Sequence, residues 1–250
     1  VLRPEGVLCV LEHGLAPVTP KATLKALLMA YRLVPGDVVK VDTGTWDLDS
    51  TVQLFDSGSA AQAITLVGSP AGSLFDRNDT SEDCLYMDRV NYVRLESLKM
   101  TGGESGIHAE GVSTNHSRGV EVVGCEVYGN QTYGMYFQYV SNSVIASNIC
   151  RNSSCGIYAS YCSGVAKAND CYANSSYGLS VYSQYSFTLE GNTSHENSYG
   201  MSVSGSYGLD VVGNRVYLNT GDGILGGGWG MRLRRNTIYS NGGNGVHVNY

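Results

Sequence analysis

The sequence is poor in charge, proline and phenylalanine. Only 15% of its 250 residues are charged, and it contains five Pro and four Phe. A coiled coil or a helical bundle is excluded, because both need abundant Glu, Lys, Arg and Ala at a period of about 3.5 or 3.6 residues. Membrane-spanning helices are not expected either, since no apolar run approaches about 18 residues.

Basic residues and cysteine motifs are scarce as well. The chain has 16 Lys and Arg against 22 Asp and Glu, so its net charge is −6. Nucleic acid is not an expected partner, because phosphate binding needs a positive face. The seven cysteines have no zinc-like spacing, and their odd number forbids complete internal pairing. We expect mostly buried thiols and leave their disulfide state open.

What the chain does have is a repeat of 22 or 23 residues in its second half. Glycine marks it at Gly134, Gly156, Gly178, Gly200, Gly223 and Gly245. One asparagine column runs through Asn130, Asn152, Asn174, Asn197, Asn219 and Asn241. A second runs through Asn148, Asn169, Asn192, Asn214 and Asn236. Three columns with one period predict a solenoid.

Apolar and polar residues alternate within each repeat, which is typical of short strands. Such strands are too short for helical crossovers, so we expect each turn to lie beside the next in parallel register, about 4.8 Å away. The second asparagine column is then predicted to form a buried hydrogen-bonded ladder. Just past it, Ile149 is assigned inward and Cys150 outward; the outward column reads Tyr128, Cys150, Tyr172, His195, Tyr217 and Tyr239.

The glycine column, the asparagine ladder and the 22-residue turn resemble right-handed parallel β-helix proteins of the pectin-lyase-like superfamily. The resemblance implies an all-β solenoid of about nine turns over residues 37–250, most regular from 106 to 250. Residues 1–36 would form an N-terminal segment with an amphipathic capping helix at about 20–33, followed by a Pro35-Gly36-Asp37 turn and a Gly44-Thr45-Trp46 turn. The last turn is incomplete, which leaves open end-to-end self-association or a continuation of the chain.

The outward positions beside the glycine column carry hydroxyls, amides and aromatic rings. Sugar rings lie on aromatic planes, and their hydroxyls exchange hydrogen bonds with Ser, Asn and Gln. An alternative is that tyrosine simply favours strand surfaces. The residues expected to bind a glycan are Tyr136, Gln138, Tyr158 and Tyr182. A further aromatic line is predicted at Tyr185, Tyr207 and Trp229.

Catalytic groups are sparser. His108 and Glu110 are the candidate acid–base pair, since positions i and i+2 of a strand share one face. His116, in a turn of 28 residues instead of 22, is a further candidate. The other outward acids read as isolated, and the Asp-Pro-His signature of alginate epimerases is absent. We expect no metal site and no cofactor, and we leave calcium open: lyases of this superfamily use it, although the sequence does not indicate a calcium site.

Two functions follow from these features. The first is an extracellular or cell-surface module that contacts polysaccharide or a cell-surface glycan along its Tyr/Ser/Asn face, as part of a larger protein. The second is a polysaccharide-processing enzyme: a lyase, a glycoside hydrolase or a uronate epimerase. A purely structural stalk is a third alternative. Fold resemblance alone does not decide between them, because function lies in the site.

Overall fold

A computed structural model describes residues 32–183, 185–205, 208–228 and 230–249, together with the backbone of residues 7–10. The predicted capping helix falls on residues outside this part of the chain, apart from residues 32 and 33, and so do Tyr207 and Trp229 of the third aromatic line. The described residues contain strands and turns and no helix, so none of them forms a helix that could cross a membrane. The all-β prediction is therefore confirmed.

The strands form three long parallel sheets, and the sheets of nine strands define about nine turns. Sheet A contains β1 (Val7–Val10), β2 (Val38–Val41), β5 (Ile64–Gly68), β8 (Val93–Glu96), β12 (Glu121–Val123), β16 (Ser143–Ala146), β19 (Gly164–Lys167), β22 (Phe187–Glu190), β25 (Leu209–Val212) and β28 (Arg232–Arg234). Sheet B contains β3 (Gly44–Asp47), β6 (Ser73–Asp76), β9 (Lys99–Thr101), β13 (Glu126–Tyr128), β17 (Ile149–Arg151), β20 (Asp170–Tyr172), β23 (Thr193–His195), β26 (Arg215–Tyr217) and β29 (Thr237–Tyr239). Sheet C contains β4 (Val52–Leu54), β7 (Leu85–Asp88), β10 (Ser105–Glu110), β14 (Tyr133–Gln138), β18 (Cys155–Ser160), β21 (Tyr177–Ser183), β24 (Tyr199–Gly205), β27 (Ile224–Gly227) and β30 (Val246–Asn249).

Each complete turn of the solenoid contributes one strand to each of the three long sheets, so residues one repeat apart lie side by side. A short fourth sheet, of β11 (Ser117–Arg118) and β15 (Val140–Ser141), fills one corner. In sheet C the residues that follow the glycines are in direct register: Met135, Ile157, Leu179, Met201, Ile224 and Val246. The predicted stacking of successive repeats is therefore present.

The interior is filled by the inward member of each alternating pair. Phe75, Phe137 and Phe187 are at most 1% exposed and are among the largest buried side chains. Removing this apolar surface from water is the main force that closes the coil. The described cysteine side chains are all free and buried: Cys84, Cys125, Cys150, Cys155, Cys162 and Cys171.

Two hydrogen-bonded asparagine ladders run along the axis. The first ladder is the second asparagine column of the sequence, for which a ladder is predicted. The side-chain amides of Asn148, Asn169, Asn192 and Asn214 each donate to the amide oxygen of the next asparagine at 2.9–3.0 Å, ending at Asn236. In the second, Asn174, Asn197 and Asn219 donate in the same way, ending at Asn241. Asn152 does not join the second ladder: it is exposed, and Ser153 stands in its place with its backbone N–H bonded to Asn174 Oδ1.

Two local expectations are wrong. In sheet B the buried side chain is Cys150, whereas Ile149 is 39% exposed, because the strand pairs Cys150 with Val127. The outward column therefore contains Arg151 in place of Cys150. In addition, the predicted turn at Gly44-Thr45-Trp46 belongs to strand β3, which pairs along its length with β6.

Candidate functional site

The candidate site lies on the outer surface of sheet C, where β7, β10 and β14 are adjacent. Their registers place Tyr86, His108 and Tyr136 side by side, and Asp88, Glu110 and Gln138 in the next outward column. Because alternate residues of a strand share a face, all six point away from the core. This brings five ionisable groups, all of these residues except Gln138, onto one patch of the rod.

His108 is held by a carboxylate from the preceding turn. Its Nδ1 lies 2.7 Å from Asp83 Oδ2, while the other oxygen of Asp83 accepts a hydrogen bond from Ser105 N at 3.1 Å. An ionised Asp83 needs a donor at this position, so the proton of a neutral imidazole belongs on Nδ1. The lone pair of the ring is then on Nε2, which is buried and has no hydrogen-bond partner among the described residues.

Glu110 lies on the opposite side of the imidazole. Its Oε2 is 3.7 Å from His108 Nε2 and accepts a 3.0 Å hydrogen bond from the Tyr86 hydroxyl. With a third of its side chain exposed, Glu110 reaches solvent more readily than His108, whose side chain is 18% exposed. Glu110 is thus the member of the pair that an external ligand could touch.

A second carboxylate, Asp88, lies one turn from Glu110 in the same column. Its two oxygens accept hydrogen bonds from Nε and Nη2 of Arg89 at 2.9 and 2.7 Å. Asp88 is one-fifth exposed, whereas Arg89 is largely exposed. We call Asp83, Tyr86, Asp88, His108 and Glu110 the acid–base cluster.

Tyrosine rings enclose the imidazole on both sides. The centroids of Tyr86 and Tyr136 lie 4.7 and 4.6 Å from that of His108, both edge-on. Tyr136 in turn stacks on Tyr133 at 4.9 Å and on Tyr158 at 5.5 Å. Burial raises the pKa of Tyr136 to about 12, and burial together with the bond to Glu110 raises the pKa of Tyr86 well above its usual value.

The structure brings together only part of the predicted site. His108 and Glu110 lie in the acid–base cluster, with Tyr136, Gln138 and Tyr158 on the turns that follow. Tyr182 belongs to a different group, edge-on to Tyr161 at 5.3 Å. The expectation that the outward acids are isolated is wrong here, because Asp88 is in register with Glu110 and Asp83 contacts His108.

Sequence reasoning missed Asp83, Tyr86 and Asp88. A signal for two of them exists: Tyr86 and Asp88 precede His108 and Glu110 by one full 22-residue repeat. The glycine that marks other turns is absent from this one. Leu85 is the register partner of Ile107, and the residue before Leu85 is Cys84, whereas the residue before Ile107 is Gly106. Asp83 lies before the strand, and no periodic pattern indicates its side-chain direction.

The outer surface of sheet C carries little positive charge. Among the described residues, neither of its two outward columns contains Lys or Arg, from β7 to β30. Within the same part of the chain, no group of three or more His, Cys, Asp or Glu is arranged to hold a metal ion. The surface is therefore acidic at the acid–base cluster and neutral beyond it.

Comparisons with known proteins give the hand of the coil. Residues 105–250 match the model of a family described as a right handed beta helix region. Pectate lyase Pel9A superposes with a TM-score of 0.69 at 12% identity, covering 84% of this chain and 64% of that one. The A-module of Azotobacter vinelandii mannuronan C-5 epimerase AlgE4 has a TM-score of 0.68 at 18% identity, with 92% and 70% covered.

A viral structure shares the fold as well. The enzymatically active domain of bacteriophage CBA120 tailspike protein 2 has a TM-score of 0.60 at 14% identity, covering 93% of this chain and 41% of that one. Such identities concern the fold alone, and they confirm a right-handed parallel β-helix of the pectin-lyase-like type. The chain spans less than two thirds of the pectate lyase. Comparison with the sequences of curated proteins gives no match.

Proposed function

The chain belongs to the family of right-handed β-helix regions, and from this premise we propose that it is a polysaccharide hydrolase whose active site is the acid–base cluster. One observation carries the proposal: two carboxylates in register on adjacent turns, Asp88 and Glu110, with a histidine–aspartate pair behind Glu110. Hydrolysis of a glycosidic bond needs two carboxyl groups on one face of a groove. Three solved structures of this fold are named for action on pectate or mannuronan, or for an enzymatically active tailspike domain, which supports a glycan as substrate.

Four members of the cluster have roles in this reaction. Glu110 gives its proton to the bridging oxygen as the bond from that oxygen to the anomeric carbon breaks. Asp88 lies on the neighbouring turn, where it takes a proton from the water whose oxygen forms the new bond to that carbon. His108 does not touch substrate, because its Nε2 is buried; it exchanges a proton with Glu110, and Asp83 stabilises the charged imidazole.

The charges favour a neutral polysaccharide. A polyuronate would place its own carboxylates beside Asp83, Asp88 and Glu110, and the guanidinium of Arg89 is already engaged by Asp88. Like charges at such distances repel each other. Abstraction of a proton beside a uronate carboxylate also needs a cation to neutralise that carboxylate, and the two outward columns of sheet C, as far as the structure describes them from β7 to β30, offer no Lys or Arg for this.

A panel of neutral and uronate-containing polysaccharides tests the proposal. We expect new reducing ends from a neutral polymer and no unsaturated product absorbing at about 235 nm. Glu110→Gln should lower kcat at least about 10²-fold with unchanged thermal unfolding. Glu190→Gln is the matched control, because Glu190 is an exposed acid at the end of a sheet A strand. An unsaturated product, or full activity in Glu110→Gln, would refute the hydrolase.

A second candidate is an extracellular or cell-surface module that binds glycan without cleaving it. The half-buried rings of Tyr133, Tyr136 and Tyr158, which all contact one another, favour this function because they offer a polar-edged aromatic surface. Binding of a neutral glycan that Tyr158→Ala weakens, with no product from any polymer, is the result expected of a binding module.

A further inference from the structure

A second aromatic cluster lies at the corner where the strands of sheet C end. Tyr139 stacks on Tyr161 at 5.0 Å between centroids, with only 13° between the planes, and Tyr182 meets Tyr161 edge-on at 5.3 Å. His116, from the long turn, contacts both Tyr139 at 5.5 Å and Tyr185 at 5.3 Å. We call these five residues the tyrosine platform.

The platform is uncharged and accessible. Tyr182 and Tyr185 are 39% and 45% exposed, and Tyr139 and Tyr161 are half-buried. Burial lowers the pKa of His116, so its imidazole is neutral at pH 7. An exposed aromatic surface bordered by phenol hydroxyls and free of charge suits a ligand with apolar faces and polar edges.

Two of these tyrosines occupy backbone positions that tyrosine disfavours. Tyr139 and Tyr161 both have a φ of +53°. A bulky residue in the left-handed region costs of order 1–3 kcal/mol, whereas Asn or Gly costs far less. The corner itself does not require tyrosine. On the preceding turn the corresponding residue is Gly111, which follows Glu110, and on the following turn it is Ser183, which follows Tyr182. A positive φ also occurs elsewhere in the coil, as at Arg89 and Tyr92, so what distinguishes this corner is the stacking of two tyrosine rings from adjacent turns.

The platform continues the surface on which the acid–base cluster lies. Tyr139 follows Gln138, which is in register with Glu110, and Tyr161 follows Ser160 on the next turn. Tyr182 is the register partner of Ser160, so it lies in the same outward column as Glu110, Gln138 and Ser160. Turns are about 4.8 Å apart, so the tyrosines of the platform begin one turn from Glu110, at Tyr139, and extend about 10 Å along the rod to Tyr182.

We infer that the tyrosine platform is a binding subsite for the sugar rings of a neutral glycan, next to the acid–base cluster. The inference rests on the proposed action on a polysaccharide and adds where the chain of sugars is held. The C–H face of a pyranose ring packs against the exposed surface of the Tyr161 and Tyr182 rings. Hydroxyl groups at the edge of the sugar exchange hydrogen bonds with the phenol of Tyr182 and the amide of Gln138.

Binding measurements with neutral hexasaccharides test the subsite. Cello-, xylo- and manno-hexaose are titrated calorimetrically into Glu110→Gln, which prevents turnover, and into the same protein carrying Tyr139→Asn or Tyr161→Asn. We expect each added substitution to weaken binding about tenfold or more. Unfolding temperature should stay level or rise, because asparagine tolerates a positive φ.

Tyr92→Asn is the matched control. Tyr92 is also half-buried with a positive φ, of 52°, but belongs to a different corner and makes none of the ring contacts of the platform. This substitution should leave the affinity unchanged. In active protein, Tyr161→Asn should raise KM with little change in kcat, since the platform contacts bound sugars and not the reacting atoms.

The outcomes separate the two proposals. Binding that Tyr161→Asn weakens, without cleavage by the wild type, refutes the hydrolase and supports the platform. Cleavage by the wild type with KM and affinity unchanged in both tyrosine variants overturns the platform and leaves the hydrolase standing. If the wild-type chain binds none of the three hexasaccharides, the platform is overturned as well.

Discussion

Asp83 Oδ2 lies 2.7 Å from Nδ1 of His108, although 25 positions separate the two residues in the sequence. The contact joins two consecutive turns. Asp83 is itself held in place by the hydrogen bond that it accepts from Ser105 N. A histidine held in this way has one defined tautomer and a stabilised cationic form. This is why we expect the pair to tune Glu110 rather than to act as an isolated surface ion pair.

Asp83→Asn tests that relationship. The neutral amide no longer stabilises the imidazolium, so we expect kcat on a neutral polysaccharide to fall about 10²-fold with KM nearly unchanged. The pH–rate profile should shift too, which a merely structural role would not cause. Glu104→Gln, at an exposed acid beside Ser105, should leave both unaltered. Equal kcat values for the two variants would argue against a role for Asp83.

Asn192→Leu tests the first asparagine ladder. Asn192 is fully buried; its amide donates to Ala166 O at 2.8 Å and to Asn214 Oδ1 at 3.0 Å, and its Oδ1 accepts bonds from the N–H and side-chain amide of Asn169. Leucine leaves these groups without partners, at a cost of about 3–5 kcal/mol in the free energy of unfolding. Denaturant unfolding measures it. Asn115→Leu, at an exposed loop position, should change stability by less than about 0.5 kcal/mol.

Gly178→Ala tests how closely the turns pack. A Cβ atom at Gly178 would lie 2.8 Å from the carbonyl oxygen of Gly200 and equally close to the amide of Asn197. We expect a loss of about 3 kcal/mol, because neither the backbone nor the ladder can move aside. Gly191→Ala, where a Cβ meets nothing within 4 Å but φ is +61°, should cost only about 1 kcal/mol. Comparable losses in both would mean that backbone strain, not crowding, decides.

Tyr136→Phe tests the burial of the phenol beside His108. The pKa of Tyr136 is raised to about 12 in the folded chain, mainly because the ring is withdrawn from water. Unfolded tyrosine ionises near pH 10, so the unfolded state loses its proton first as the pH rises. Stability due to this group is therefore complete below about pH 10 and falls between about pH 10 and 12. Melting temperatures across this range should fall less steeply in the phenylalanine variant.

The sequence was most informative where chemistry repeats with the coil. Asn192 and Asn214 could be assigned to one column because their spacing equals the length of a turn, and the hydrogen bonds join them directly. Strand positions are harder to assign from hydrophobicity alone. Ile149 is more apolar than Cys150 by type, yet the register with Val127 turns Cys150 inward.

Only part of the site could be predicted from the sequence, because some of its side chains lie in turns and at corners and not on strands. Alternation along a strand predicts that Tyr139 points inward, since Phe137 does; the positive φ at Tyr139 breaks the alternation and turns the ring outward. Asp83 reaches His108 from a turn that precedes its strand, so its direction depends on the fold of that turn. Contacts set by corners, unlike those set by strands, have no period to reveal them.

Parallel stacking makes each repeat a unit of length. From Leu179 to Met201 the chain advances by one complete circuit and rises by the spacing of two neighbouring strands, about 4.8 Å. Adding or deleting one such circuit beyond the corner tyrosines would leave the chemistry at Glu110 and its nearest sugars intact while changing how far the rod extends. The length of the rod and the chemistry of its site can thus be altered separately.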